Sequence, residues 1–233
     1  MIYVMSDIHG NEERFNSVMK QINLQADDTL YVLGDVIDRN NGSIRILRKL
    51  MKMPNAQMLL GNHEYMMLAA IDSITNADKN WIKNCYSREL LLWYNNGGDI
   101  THHCFKYLPK DKRKEILDYV RKLPINLETT VNGVNFKLCH ASPLENWEKN
   151  TSNQWLFDSK EEFAVWNRWQ SSDGVPEGFT LIFGHTPTCY LQGAYPWKIY
   201  KSNNAIGIDC GSAYDEGRLA CLRLDDMKEF YSS

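Results

Sequence analysis

The 233-residue sequence has no long hydrophobic run: none approaches the roughly 20 apolar residues that a helix needs to cross a bilayer. It has no excess of basic charge either. The formal net charge is -3, so a cationic stripe for nucleic acid is not expected, and no nucleic-acid polymer is expected as a partner. The six cysteines (Cys85, Cys104, Cys139, Cys189, Cys210 and Cys221) show no C-x-x-C spacing and are scattered along the chain. In a chain of this size they read as reduced thiols of a cytoplasmic protein. Internal repeats, low-complexity tracts and linker-like stretches are absent. The amino terminus runs straight into an apolar strand, so no signal peptide is expected. One domain spanning residues 1–233 is the simplest organisation for a chain of this length.

What the sequence does have is one grammar repeated five times. An apolar run ends, and a metal ligand follows. Ile2-Tyr3-Val4-Met5 leads to Asp7-Ile8-His9. Thr29 to Leu33 leads to Gly34-Asp35-Val36-Ile37-Asp38-Arg39. Gln57 to Leu60 leads to Gly61-Asn62-His63-Glu64. Val134 to Leu138 leads to His140, and Thr180 to Phe183 leads to Gly184-His185-Thr186. A core strand has no use for such charge, because an unpaired buried carboxylate is very costly.

Between the first strands, helical periodicity places Phe15, Val18, Met19 and Ile22 on one stripe. Asn11 or Glu12 can begin that helix, and Ser43 is a good N-cap for the next one. Strand, helix, strand, helix, strand predicts an α/β sandwich, with ligands gathered at the carboxyl ends of strands. Residues 72–123 read as an accessory helical layer. The His102-His103 pair there is a poor metal site, because adjacent side chains diverge. Asn132-Gly133 predicts a hairpin turn. Segment 144–178 is irregular and holds Trp147, Trp155, Trp166 and Trp169, which fill core or border a substrate groove. Residues 205–209, 219–224 and 229–231 read as three closing strands.

Six candidate ligands result: Asp7, His9, Asp35, Asn62, His140 and His185. Carboxylate, imidazole and amide oxygen suit borderline divalent ions. Six donors are too many for one tetrahedral ion. They suit two ions roughly 3.5–4 Å apart, the arrangement that serves phosphoester hydrolysis, with Asp35 as the natural bridge.

The same five blocks, in the same order over residues 7–186, resemble the signature of the calcineurin-like metallophosphoesterases. The Asp38-Arg39 pair and Glu64 after His63 resemble the branch that holds serine/threonine protein phosphatases and symmetrical diadenosine tetraphosphate hydrolases. The tail Gly207-Ile208-Asp209-Cys210-Gly211-Ser212 with Gly217-Arg218-Leu219 is similar to the closing hairpin of bacterial and phage-type members. The resemblance implies a two-sheet β-sandwich flanked by helices. Asp7, His9 and Asp35 would hold one ion, and Asp35, Asn62, His140 and His185 the other. Manganese is the expected ion, with iron, zinc, cobalt and nickel as alternatives. A metal-bridging hydroxide would attack phosphorus. His63, oriented by Asp38, would act as general acid, and Arg39 and Arg168 would grip the phosphoryl group. Asn40 stands where the family commonly has glycine, and His140-Ala141-Ser142 replaces the His-Gly-Gly of many protein phosphatases. Both departures bear on the substrate rather than on the chemistry. The expected activity is a serine/threonine or dual-specificity protein phosphatase. The alternative is a symmetrical diadenosine tetraphosphate hydrolase. A non-catalytic scaffold fits less well, since the acid and the phosphate-gripping arginine are both kept.

Overall fold

The computed structural model describes residues 1–76, 87–149, 154–191, 193–202 and 204–233. In chain order the strands are β1 (Ile2–Met5), β2 (Thr29–Val32), β3 (Ala56–Met58), β4 (Asn126–Val131), β5 (Val134–Cys139), β6 (Thr180–Phe183), β7 (Tyr200–Ser202), β8 (Ala205–Gly207), β9 (Ala220–Arg223) and β10 (Lys228–Tyr231). The α-helices are α1 (Glu12–Ile22), α2 (Ser43–Leu50), α3 (Asn62–Asn76), α4 (Arg88–Asn95), α5 (Gly98–Lys106), α6 (Lys110–Val120), α7 (Asn146–Lys149) and α8 (Lys160–Trp166).

The strands form two five-stranded sheets, ordered β10-β9-β1-β2-β3 and β4-β5-β6-β8-β7. Strands β1, β2 and β3 run parallel, as do β5, β6 and β8. Each sheet is completed by antiparallel neighbours. The expected two-sheet sandwich with flanking helices is therefore present.

Period-two alternation builds the layers. In β1, Tyr3 and Met5 face the helices with Phe15, Val18 and Leu47, while Val4 faces the second sheet. In β2, Leu30 and Val32 face the helices, and Tyr31 and the following Leu33 face the sheet interface with Leu138, Ile182 and Ile206. In β6, Ile182 points to that interface, and Leu181 and Phe183 point the other way against Trp169. Both faces of the parallel strands are covered, which explains why they read as continuous apolar runs rather than alternating ones.

The local expectations mostly hold. Asn11 caps α1, its side chain accepting from the Arg14 amide at 3.1 Å. Asn132 and Gly133 both take positive φ at the β4–β5 turn. Ser43 is a correction: it is the first residue of α2 rather than its cap. Its hydroxyl donates instead to the Asn40 carbonyl, and the cap position falls to Gly42, whose amide reaches the Gly10 carbonyl at 3.1 Å. A Cβ on Gly42 would lie 2.4 Å from that carbonyl oxygen, so the close approach selects glycine. The third strand is shorter than residues 57–60, and α3 begins at Asn62, before Glu64. Helices α4, α5 and α6 fall within residues 72–123, of which residues 77–86 lie outside the described residues. Cys104, Cys139, Cys189, Cys210 and Cys221 are free thiols, and Cys85 lies outside the described residues. No described helix is long and apolar enough to cross a membrane.

Candidate dimetal active site

Asp7 follows β1, Asp35 follows β2, Asn62 follows β3, His140 follows β5 and His185 follows β6. The strands are parallel within each sheet, so their carboxyl ends deliver these side chains to one place. The chain turns sharply to do so. Asp7, His9, Asp35, Asp38, Arg39 and His185 all have φ between 50° and 73°. Non-glycine residues seldom adopt that left-handed region, and they cluster there at functional sites. Glycine supplies the clearance. A Cβ on Gly34 would sit 2.6 Å from the Gly61 Cα, and one on Gly61 would sit 2.3 Å from Asp35 Oδ1.

The ring orientations are set by main-chain carbonyls, which can only accept. His9 Nδ1 lies 3.2 Å from the Ile37 carbonyl, His140 Nδ1 lies 2.6 Å from that of Leu33, and His185 Nε2 lies 3.1 Å from that of Trp166. Each ring therefore donates its outer N–H, and in the neutral ring the inner nitrogen is a lone pair, the arrangement typical of metal-binding histidines. The inner nitrogens of His140 and His185 face Asn62 Oδ1 at 3.0 and 2.9 Å. His140 Nε2 is also 3.4 Å from Asp35 Oδ1, and His9 Nε2 is 3.7 Å from Asp35 Oδ2 and 3.9 Å from Asp7 Oδ1. Lone pairs thus face lone pairs around a buried centre. Such a set needs cations between its members, and the donors present fit divalent ions.

The electrostatics agree. Burial drives His9 and His185 well below the ordinary imidazole range, with His63 adding to the effect at His9 and His140 at His185. Both rings are held neutral, as ligation requires. Burial pushes Asp35 well above the ordinary carboxylate range; His63 opposes this shift and Asp7 adds to it. Among the described residues, two groups of donor atoms are close enough to hold an ion: His9, Asp35 and His63, and Asp35, His140 and His185. Asp35 belongs to both.

His63 belongs to the first group by distance, but its contacts set it apart. Its Nδ1 lies 2.7 Å from Asp38 Oδ2, and its Nε2 lies 3.2 Å from an Arg39 guanidinium nitrogen. A cationic donor facing Nε2 is a poor neighbour for a metal ion at that nitrogen. Asp7 has one oxygen engaged by the Ser6 hydroxyl and the His185 amide at 2.5 and 3.0 Å, which leaves Oδ1 toward His9. Arg168 is exposed and is tethered by the His185 carbonyl at 3.2 Å. A cavity of about 60 Å³ brings Asp7, His9, Asp35, Asn62, Arg39 and Arg168 together with His185. His102, set aside as a ligand from its spacing, meets the Tyr94 hydroxyl instead.

Four residues at the site have contacts there that sequence reasoning does not assign. Asp209 lines the cavity and follows β8, a sixth instance of the apolar-run-then-ligand grammar that reads as part of a strand. Burial, then Asp7, holds its carboxyl well above the usual range. Trp93 donates from Nε1 to Asp38 Oδ2 at 2.8 Å, and the Thr101 hydroxyl accepts from the Asp38 amide at 2.9 Å. Both come from the accessory layer, and neither has a local signature. Glu64 is buried and accepts from the amides of Asp35, Val36, Ile37 and Gly61 at 2.9 to 3.3 Å. One carboxylate thereby pins the two ligand-bearing turns to each other.

The family model for calcineurin-like phosphoesterases matches residues 1–209. This chain is a calcineurin-like phosphoesterase. Serine/threonine-protein phosphatase 2 of Escherichia coli K12 is 31% identical to the phosphoesterase, over 96% of this chain and 92% of its own length. The symmetrical bis(5'-nucleosyl)-tetraphosphatase of Delftia acidovorans is 24% identical over 84% of this chain. The phosphoesterase spans 61% of that relative's length. A metallophosphoesterase from Sphaerobacter thermophilus shares the fold, with a TM-score of 0.56 at 14% identity, over 99% of this chain and 87% of the other. The relatives of the phosphoesterase thus carry two different substrate names.

Proposed function

We propose that the phosphoesterase is a protein phosphatase that removes phosphate from serine and threonine side chains. The observation that supports it is the meeting of two arginines with Asp7, His9, Asp35, Asn62 and His185 at one small cavity, next to a histidine–aspartate pair and to two donor groups that share Asp35. Asp7, His9 and Asp35 would hold one divalent ion, and Asp35, Asn62, His140 and His185 a second. Manganese is the expected ion, while iron, zinc, cobalt and nickel also suit the donors. When bound, such ions supply a nucleophile from water near neutral pH and neutralise charge on the phosphoryl oxygens.

The remaining work falls to the chain's own side chains. Arg39 and Arg168 stand at the cavity as planar forks that match phosphoryl oxygens. His63 would carry the proton for the leaving alkoxide on Nε2 once a phosphoryl group draws the Arg39 guanidinium away from that nitrogen. Asp38 holds the ring by Nδ1 and is itself held by Trp93, so Nε2 is aimed at the cavity side. A buried, oriented imidazole beside a carboxylate is suited to general acid catalysis. A volume of about 60 Å³ corresponds to roughly four to six waters at about 10–15 Å³ each. That suits ions and a phosphoryl group, and the group that carries the phosphate must lie outside. A phosphorylated side chain on a protein surface meets that condition. The match to the Escherichia coli phosphatase along nearly the whole of both chains supports the same reading. The second reading is hydrolysis of a dinucleoside tetraphosphate, favoured by the name of the Delftia relative.

A substrate panel under manganese separates the two. Phosphoserine and phosphothreonine peptides are expected to show higher kcat/KM than diadenosine tetraphosphate. The reverse order would move the chain to the second reading. Inhibition by free phosphate tests the arginines. Arg39→Ala is expected to weaken phosphate binding by about 1.5–3 kcal/mol, the range for a hydrogen bond to a charged group. Arg168→Ala is expected at the lower end, since that side chain is exposed and held by one carbonyl. If phosphate inhibits the Arg168 variant as well as the parent, Arg168 has no place in the site.

A further inference from the structure

One wall of the cavity has no part in the chemistry above. It is formed by the residues after Asp209, and Tyr214 brings it to the cavity beside Arg39. The Tyr214 ring lies against Trp197, with centroids 5.4 Å apart and planes inclined by 33°. Trp197 in turn covers Gly211, where an added Cβ would fall 2.1 Å from the indole. The wall is therefore backed by a packed ring rather than by solvent.

The same loop is tied to α1. Arg14 donates to the carbonyls of Ser212 and Tyr214 at 2.8 Å each, of Asp215 at 3.1 Å and of Gly211 at 3.4 Å. Asn11 Nδ2 adds a bond to the Ser212 carbonyl at 3.1 Å, and the Ser212 hydroxyl reaches the Ile8 carbonyl at 3.1 Å. A guanidinium has five N–H donors in a rigid fork and no acceptor. Here the fork is directed at main-chain oxygens of one loop, which fixes backbone shape regardless of side-chain identity. Helix α1 begins just after His9, so the segment that carries two candidate ligands also holds the wall.

We propose that Tyr214 is a specificity-determining residue whose ring contacts the group carrying the phosphoryl, and that Arg14 is the positioning residue that holds it there. The inference rests on the phosphomonoesterase reading. The cavity accommodates little beyond ions and phosphate, so the first atoms past the ester oxygen emerge at its mouth. Tyr214, 39% exposed, stands at that mouth.

The test uses the manganese-loaded enzyme, p-nitrophenyl phosphate as substrate and inorganic phosphate as inhibitor. Tyr214→Ala is expected to raise KM by about 2- to 12-fold, the worth of one aromatic contact. The inhibition constant of phosphate should stay near the parent's, because free phosphate carries no further group. Tyr214→Phe should keep the parent KM, since the ring makes the contact. Arg14→Ala should raise KM in the same way, and the double variant should rise no further, because Arg14 acts through Tyr214. An unchanged KM in Tyr214→Ala, or an equal loss of phosphate binding, overturns the wall. Additive effects in the double variant overturn the positioning role. Should Arg14→Ala fail to fold, Arg14→Lys keeps the charge without the fork and must show the same KM rise. A parent that turns over no phosphomonoester would overturn the proposed function, and this inference with it.

Discussion

Asp35→Asn is expected to remove more activity than any other single change among the ligands. Its Oδ1 accepts the His63 amide at 3.0 Å and lies 3.4 Å from His140 Nε2, while its Oδ2 lies 3.7 Å from His9 Nε2. It belongs to both donor groups, so one substitution weakens both ion sites. Changes to groups that merely orient ligands cost about 10–100-fold in metal affinity, and loss of a shared charged ligand should exceed that at each site. Asparagine keeps the size and the oxygen that accepts from His63, so the fold should survive. Burial raises the Asp35 pKa, which means that its ionised form destabilises the metal-free fold at pH values above the ordinary carboxylate range. The metal-free variant should therefore melt at or above the parent's temperature near neutral pH, while the stabilisation on adding manganese shrinks. Thermal melts with and without manganese, beside rates, read both effects. An activity loss no greater than that of Asn62→Ala would count against Asp35 as the shared ligand.

His63→Asn should behave differently, because its worth depends on the leaving group. A serine alkoxide is strongly basic and needs a proton as the bond breaks. Nitrophenolate needs one much less. General acid catalysis contributes about 10²–10⁴-fold, so the variant should lose most of that factor on phosphoserine peptides and distinctly less on p-nitrophenyl phosphate. If His63 is the acid and not a ligand, as its contacts with Asp38 and Arg39 support, metal content should remain at the parent level. Lost metal together with equal losses on both substrates would move His63 into that shell.

The candidate ligands are legible because physics forces such residues into a visible pattern. A strand buried on both faces must be continuously apolar, and a charged ligand can appear only where the strand stops. Gly34 and Gly61 mark where two such stops approach too closely for a side chain. Asp209 obeys the same rule after β8, yet Ile208 and Asp209 read as the end of a closing strand, and no histidine accompanies them. Trp93 and Thr101 were illegible for another reason. Each meets Asp38 from more than 50 residues away, and an indole N–H or a hydroxyl has no spacing that announces its partner. Glu64 is visible as a letter beside His63, but its bonds to four amides emerge only when two turns meet in space. The Ser43 cap failed on packing: the approach of Gly42 to Gly10 fixed the start of α2 one residue earlier than side-chain preference suggests.

The most direct measurement is manganese content against rate for one preparation, stripped by a chelator and then titrated. Negligible turnover is expected in the stripped chain, with activity restored as binding reaches two ions per chain. Full activity in a metal-free chain, or full activity reached at a single bound ion, would contradict a centre built on Asp35.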